Sequence, residues 1–328
     1  MKSYKSAFTA SLILLGVLPC LSMGQVPVTK SITASNQEEL LVKIDTDLVT
    51  LDVTVTDIKG NYILDLKPED FELREDGQVR PIDFFQPITA LKNSSLSLVL
   101  ALDLSGSLSP DEANLQKESI KKFTQQLDPN SLCALMGFNY KVEIFQEFTN
   151  DYKKISNKLD KIKDYGGSTR IYDALDRALT MFKKAPLTRQ GKRLRQVIVV
   201  ITDGFDSSSI IDKKELIRRA NLSGVSIYSI TLPSFSPLIN QGSKERLPTL
   251  LDVSGVTRLT GGRDFSVNSQ NYQEVFEAIA KEFASSYTLA YHLPKDQTSN
   301  GTHKLEVKIK RPGLQVRTNR DSYLVQNK

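Results

Sequence analysis

The 328 residues are more than one ordinary core uses, and the 40% apolar, 8% aromatic and 25% charged content is that of a globular protein, so two domains or one enlarged domain are expected. The formal charge is +5, and discounting residues 1–24, which hold two lysines and no acid, leaves +3. That balance is too weak to argue for a nucleic-acid partner.

The first 24 residues read as a secretory signal peptide. Lys2 and Lys5 form a positive start, and Leu12 to Leu18 an apolar stretch too short to span a bilayer. Ser22-Met23-Gly24 puts small residues where a signal peptidase reads, ahead of cleavage before Gln25. Pro19 next to Cys20 fits a lipidation signal badly. Later apolar runs are too short for a membrane helix, so the mature chain is expected to be exported and soluble, in the periplasm or outside the cell. Only Cys133 then remains, a small hydrophobe in the run Leu132 to Met136, which leaves no intrachain disulfide and no Cys/His zinc spacing.

Residues 25–39 are polar and aperiodic and read as a linker. Residues 40–92 read as a small sandwich-like β module. Leu51, Val53 and Val55 alternate with polar residues, and Phe71 and Leu73 do the same ahead of the hairpin signal Asp76-Gly77. From about residue 93 to 288 the pattern changes. Leu96 to Leu102 and Val197 to Ile201 are continuous apolar runs, as in strands covered on both faces. Ser109-Pro110-Asp111-Glu112 opens a helix with its apolar face at Ile120, Phe123 and Leu127. Two strands follow, over 132–138 and 142–148, then helices marked by Tyr152 to Ile162 and Ile171 to Phe182. A helix ending near Gly224, a strand over 225–232, and helices over 247–259 and 272–283 complete the segment. This alternation predicts an α/β fold with a mostly parallel, Rossmann-like sheet and helices on both faces. Residues 289–328 read as β again, and their short length predicts packing beside the N-terminal module. The basic cluster Arg189, Lys192, Arg193 and Arg195, just before an apolar strand, reads as a solvated loop in preference to a phosphate-binding patch.

In such sheets ligands bind at the carboxyl ends of the strands. Three polar motifs fall there in order: Asp103-Leu104-Ser105-Gly106-Ser107, Gly166-Gly167-Ser168-Thr169 and Thr202-Asp203-Gly204. Asp103, Ser105, Ser107, Thr169 and Asp203 are all oxygen donors, a set suited to a hard cation: Mg²⁺ first, with Mn²⁺ or Ca²⁺ as substitutes. Alternation lets Asp103, Ser105 and Ser107 face one point, and Gly106 allows close approach. Neutral hydroxyl ligands leave the cation under-neutralised, open to an Asp or Glu carboxylate of a protein or peptide partner. Each motif alone has a plainer explanation as a cap or a turn; their joint order on α/β elements argues for a metal site. Asp173 reads as a first-turn acid serving the helix dipole.

The sequence Asp103-x-Ser105-x-Ser107, with Thr169 and Asp203, resembles in order and spacing the metal-ion-dependent adhesion site (MIDAS) of von Willebrand factor type A (vWA) domains. The flanks Leu48-Val49-x-Leu51-x-Val53-x-Val55-x-Asp57, Glu69-Asp70-Phe71-x-Leu73-x-Glu75-Asp76-Gly77 and Arg311-Pro312-Gly313-Leu314 resemble secreted vWA-related proteins abundant in acidobacterial genomes. The resemblance implies that Ser105, Ser107 and Thr169 coordinate the ion directly, and Asp103 and Asp203 directly or through water. It implies adhesion or protein binding. Two other classes stand beside it: an envelope scaffold whose ion only stabilises the fold, and a hydrolase using Ser105 or Ser107. For the last, the only histidines are His292 and His303, in the late β segment, and no Gly-x-Ser-x-Gly elbow surrounds either serine, so catalysis is not expected.

Overall fold

The computed structural model describes residues 48–104, 110–163, 166–202, 206–231, 255–267, 271–293 and 301–325. The chain enters through strands β1 (Leu48–Asp57), β2 (Phe71–Glu75), β3 (Gln78–Arg80) and β4 (Phe84–Ile88). An alternating segment follows: β5 (Leu96–Asp103), α1 (Pro110–Gln125), β6 (Leu132–Phe138), β7 (Val142–Thr149), α2 (Tyr152–Lys161), α3 (Ile171–Phe182), β8 (Thr188–Arg189), β9 (Lys192–Arg193), β10 (Arg195–Thr202), α4 (Lys213–Ser223), β11 (Ser226–Thr231), α5 (Val256–Leu259), β12 (Asp264–Ser266) and α6 (Tyr272–Phe283). Strands β13 (Ser286–His292), β14 (Gly301–Ile309), β15 (Leu314–Thr318) and β16 (Ser322–Val325) close it.

The alternating segment builds a six-stranded sheet in the order β12-β11-β10-β5-β6-β7, in which only the edge strand β7 runs antiparallel. Strand β5 is buried along its whole length because both of its faces are covered. Leu96, Leu98, Leu100 and Leu102 pack with α1, α2 and α6, while Val99 and Ala101 pack with α3, α4 and α5. The period-2 alternation of one strand thus feeds two separate cores. Cys133 lies in the first of these, fully buried, and burial pushes its thiol pKa up. Parallel pairing brings the carboxyl ends of β5, β6, β10 and β11 to one edge. The helix expected over 247–259 is a single turn at Val256–Leu259; residues 247–254 lie outside the described set.

The strands before and after this segment pair directly. Strand β1 runs antiparallel to β13 from Leu48↔His292 to Val53↔Tyr287, and on its other side to β15. The sheets β15-β1-β13-β4 and β16-β14-β2-β3 enclose a core of Leu51, Val53, Phe71, Leu73, Tyr287, Leu289 and Tyr291. The sandwich therefore draws strands from both ends of the chain. Among the described residues no helix is long and apolar enough to cross a membrane.

The solvated-loop reading of the basic cluster is overturned. Arg189, Lys192 and Arg193 lie on a short hairpin, β8–β9, and Arg195 is buried. Arg193 forks onto Asp52 of the sandwich, Nη1 to Oδ1 at 2.7 Å and Nη2 to Oδ2 at 3.0 Å. The partner carboxylate sits 141 residues earlier than Arg193 in the chain, in a strand read as half-buried, so no local pattern announced the pair.

Candidate metal centre

Strand β5 ends at Asp103, and its position after a fully buried run leaves the carboxylate buried at the sheet's carboxyl edge. Burying a carboxylate requires hydrogen-bond donors. One comes from the neighbouring strand: Thr202, the last residue of β10, donates its hydroxyl to Asp103 Oδ2 at 2.6 Å. The next residue extends the anchoring. Leu104 N–H donates to Phe138 O at the end of β6, and its carbonyl accepts from Gly166 N–H at 2.6 Å. The Gly166-Gly167 loop is thereby tied to the end of β5. Gly167 needs to be glycine on two counts: its φ is +94°, and a Cβ there would stand 2.7 Å from the Tyr140 ring.

Thr169 is buried just ahead of α3. Its N–H donates to Ser207 Oγ at 3.0 Å, and its carbonyl accepts from the N–H groups of Ser207 and Ser208. The loop after β10 also supplies the cap that α3 lacks locally. Arg170 occupies the N-cap position and makes no side-chain cap. Instead Asp206 Oδ1 accepts from Ile171 N–H at 2.8 Å and Tyr172 N–H at 3.3 Å, and Ser209 Oγ accepts from Asp173 N–H at 3.1 Å. Asp173 returns the favour to the loop, since its Oδ1 accepts from Ile210 and Ile211 N–H. Its reading as a first-turn acid is thus incomplete: it holds a neighbouring loop by hydrogen bonds. Asp206, Ser207 and Ser209 went unnoticed in the sequence, although a Ser/Asp-rich run after a buried strand is a signal for such capping.

The three motif-bearing segments are therefore stitched pairwise at one edge: 103 to 202, 104 to 166, and 169 to 207. Asp103 and Thr169 belong to this stitched edge. Ser105, Ser107 and Asp203 lie outside the described residues, in segments that continue directly from Leu104 and Thr202. A buried carboxylate and a buried threonine, with serine hydroxyls and a second carboxylate next in sequence, form a hard oxygen donor set that fits a divalent cation such as Mg²⁺. The histidines lie elsewhere, on the sandwich: His292 Nδ1 is 3.1 Å from Asp83 Oδ2, and His303 Nδ1 is 2.8 Å from Asp76 Oδ2.

A protein of Borreliella burgdorferi is 26% identical over 209 residues, an alignment covering 58% of this chain and 59% of that protein. The mouse collagen alpha-5(VI) chain is 30% identical over 143 residues, covering 41% of this chain and 5% of the collagen. The chain thus spans about three fifths of the first relative and a small fraction of the second. Among solved structures, a von Willebrand factor type A protein from Catenulispora acidiphila aligns with a TM-score of 0.47 at 11% identity, covering 85% of this chain and 73% of that one. Proximal thread matrix protein 1 of the mussel byssus, solved with zinc in its MIDAS motif, aligns with a TM-score of 0.47 at 14% identity, covering 64% of this chain and 49% of that one. The sequence model of the von Willebrand factor type A domain matches residues 97–282, more than half of the chain, and the protein belongs to that family.

Proposed function

We propose that this vWA domain binds a protein or peptide partner through a divalent cation, Mg²⁺ by preference, held by Asp103, Ser105, Ser107, Thr169 and Asp203. Domains of this family commonly mediate protein–protein interaction. The observation that carries the finer reading is the stitched edge, where a buried Asp103 accepts from Thr202 and the loops of the other two motifs are tied alongside it. With hydroxyls as ligands the ion keeps positive charge to spare. A partner's Asp or Glu carboxylate then completes its coordination in a partly desolvated setting, where charge-assisted contacts are strong. Two large apolar side chains on this rim, Tyr140 beside Gly167 and Ile210 in the loop after β10, are 59% and 84% exposed and offer contact area around the ion. The role is binding rather than catalysis, and the signal-like N-terminus supports export to the periplasm or beyond.

The test is capture of partners from envelope and secreted fractions in Mg²⁺ against EDTA, with Thr169→Ala alongside wild type. The reading expects capture that EDTA abolishes and that Thr169→Ala weakens, with the melting temperature nearly unchanged. Capture indifferent to EDTA would move the interface to the sandwich. A large loss of stability in EDTA would make the ion a structural pin.

A further inference from the structure

A second site lies away from the metal edge. A cavity of about 710 Å³ opens between the sandwich sheet containing β1, β13 and β4 and the β8–β9 hairpin with the start of β10. That is the size range of small-molecule sites. Its walls are partly apolar, with Leu48, Phe84, Ile88 and Leu187 among them. Asp52, Arg193, Arg195 and Arg320 also line it.

Three guanidinium groups here face one carboxylate. Asp52 is occupied by the Arg193 fork, and Arg195 Nε stands 3.8 Å from its Oδ2. The two terminal nitrogens of Arg195 are held by Ser286 Oγ at 3.2 Å and Tyr228 Oη at 3.0 Å, while its Nε is buried without a hydrogen-bond partner. The Arg195 side chain is only 8% exposed. Arg320 is the outlier. Its Nε is also buried without a hydrogen-bond partner, and the carboxylate it is drawn to, Asp52, is already held by the Arg193 fork. The loop that carries it is pinned, since Asn319 Nδ2 donates to Gly224 O at 2.8 Å and Thr318 Oγ1 to Arg320 O at 3.0 Å. Gly224 ends α4 in the left-handed region, and a Cβ there would stand 1.7 Å from Arg320 Nη2, so glycine keeps open the place where this guanidinium lies. Burial, then repulsion from Arg193, pushes the Arg320 pKa down to about 10, against the weaker attraction of Asp52. The nearby Arg317 differs, being balanced by the buried Glu282 at 2.5 Å.

Three guanidinium groups against one carboxylate leave a surplus of positive charge in a partly desolvated cavity, which an added anion would offset. We propose that this cavity binds a small organic carboxylate with an apolar body, the carboxylate forking onto Arg320 with Arg195 Nε beside it and the body lying against the apolar wall. Planar bidentate recognition is what a guanidinium offers a carboxylate. The site is independent of the cation at the sheet edge.

Octanoate is a suitable probe, titrated into the full chain by calorimetry with EDTA throughout. Octanoate should bind with one site per chain and raise the melting temperature, while 1-octanol and inorganic phosphate at the same concentration should do neither. Arg320→Gln should weaken octanoate binding roughly 10- to 100-fold. It should leave the ligand-free melting temperature unchanged or higher, because it removes one of three cations that share a single carboxylate. Arg320→Lys, which keeps the charge and loses the fork, should fall between, and serves if the glutamine variant does not fold. Arg218→Gln, whose guanidinium pairs with Glu215 on α4, should bind as wild type. No octanoate binding, equal binding of octanol, phosphate binding as tight as octanoate, or undiminished affinity in both Arg320 variants would overturn the proposal.

Discussion

The Thr202 hydroxyl donates to Asp103 Oδ2 at 2.6 Å, joining the last residues of two adjacent parallel strands, β10 and β5. This bond fixes which way a buried carboxylate presents its other oxygen at the sheet edge. Thr202→Val keeps the shape and removes the donor. It should cost about 1–3 kcal/mol, the penalty for under-satisfying a buried polar group. Mg²⁺ affinity should fall roughly 10- to 100-fold, as for other residues that orient a metal ligand. Chemical denaturation and calorimetry read the two effects separately; an unchanged affinity would mean that Asp103 needs no orientation from Thr202.

Asp206 caps α3 from a loop remote in sequence, so its removal acts on helix and loop together. Asp206→Ala should destabilise by about 1–2 kcal/mol. For a domain of this size that lowers the melting temperature by about 2–8 °C. Asp206→Asn, which retains an acceptor oxygen, should lose much less. Thermal melts of the pair check this, and equal losses would point to charge rather than capping.

The Asp52 cluster sets an acid limb on stability. Burial acts to raise the Asp52 pKa, but Arg193 and Arg195, with hydrogen bonds from Arg193 and Thr288, outweigh it and hold the carboxyl below its ordinary value. A carboxylate depressed in the folded state contributes stability above the unfolded pKa of about 3.9 and loses it as pH falls towards the lower folded value. Asp52→Asn should cost about 3–5 kcal/mol at neutral pH, since it leaves buried guanidinium charge uncompensated. The gap between variant and wild type should narrow as pH drops below about 4. Denaturant midpoints from pH 7 to pH 2.5 give this directly; a constant gap would contradict it.

Cys133 is fully buried in β6, and burial disfavours its thiolate. A thiol reagent at pH 8 should leave it unmodified in the folded protein and modify it at once in denaturant. Rapid labelling without denaturant would show that the β5–β6 region opens readily.

Much of this architecture is readable from local pattern. The continuous apolar runs at Leu96 to Leu102 and Val197 to Ile201 announce strands covered on both sides, and Asp103 stands where the first of them ends. What stayed hidden rests on contacts between distant segments. Asp206 caps a helix that begins 35 residues earlier, and Asp52 pairs with Arg193 across 141. Arg195 begins an apolar strand and looked like the end of a basic loop, yet its head group reaches Tyr228 and Ser286 inside the fold. Periodicity reports which face of an element is covered; it carries no information on which remote charge meets it.

The central claim is a single divalent-cation site built on Asp103, and Mg²⁺ titration calorimetry of wild type against Asp103→Ala tests it most directly. One site per chain in the wild type and none in the variant, with the variant still folded by circular dichroism, is the predicted result. Equal Mg²⁺ binding by both proteins would contradict it.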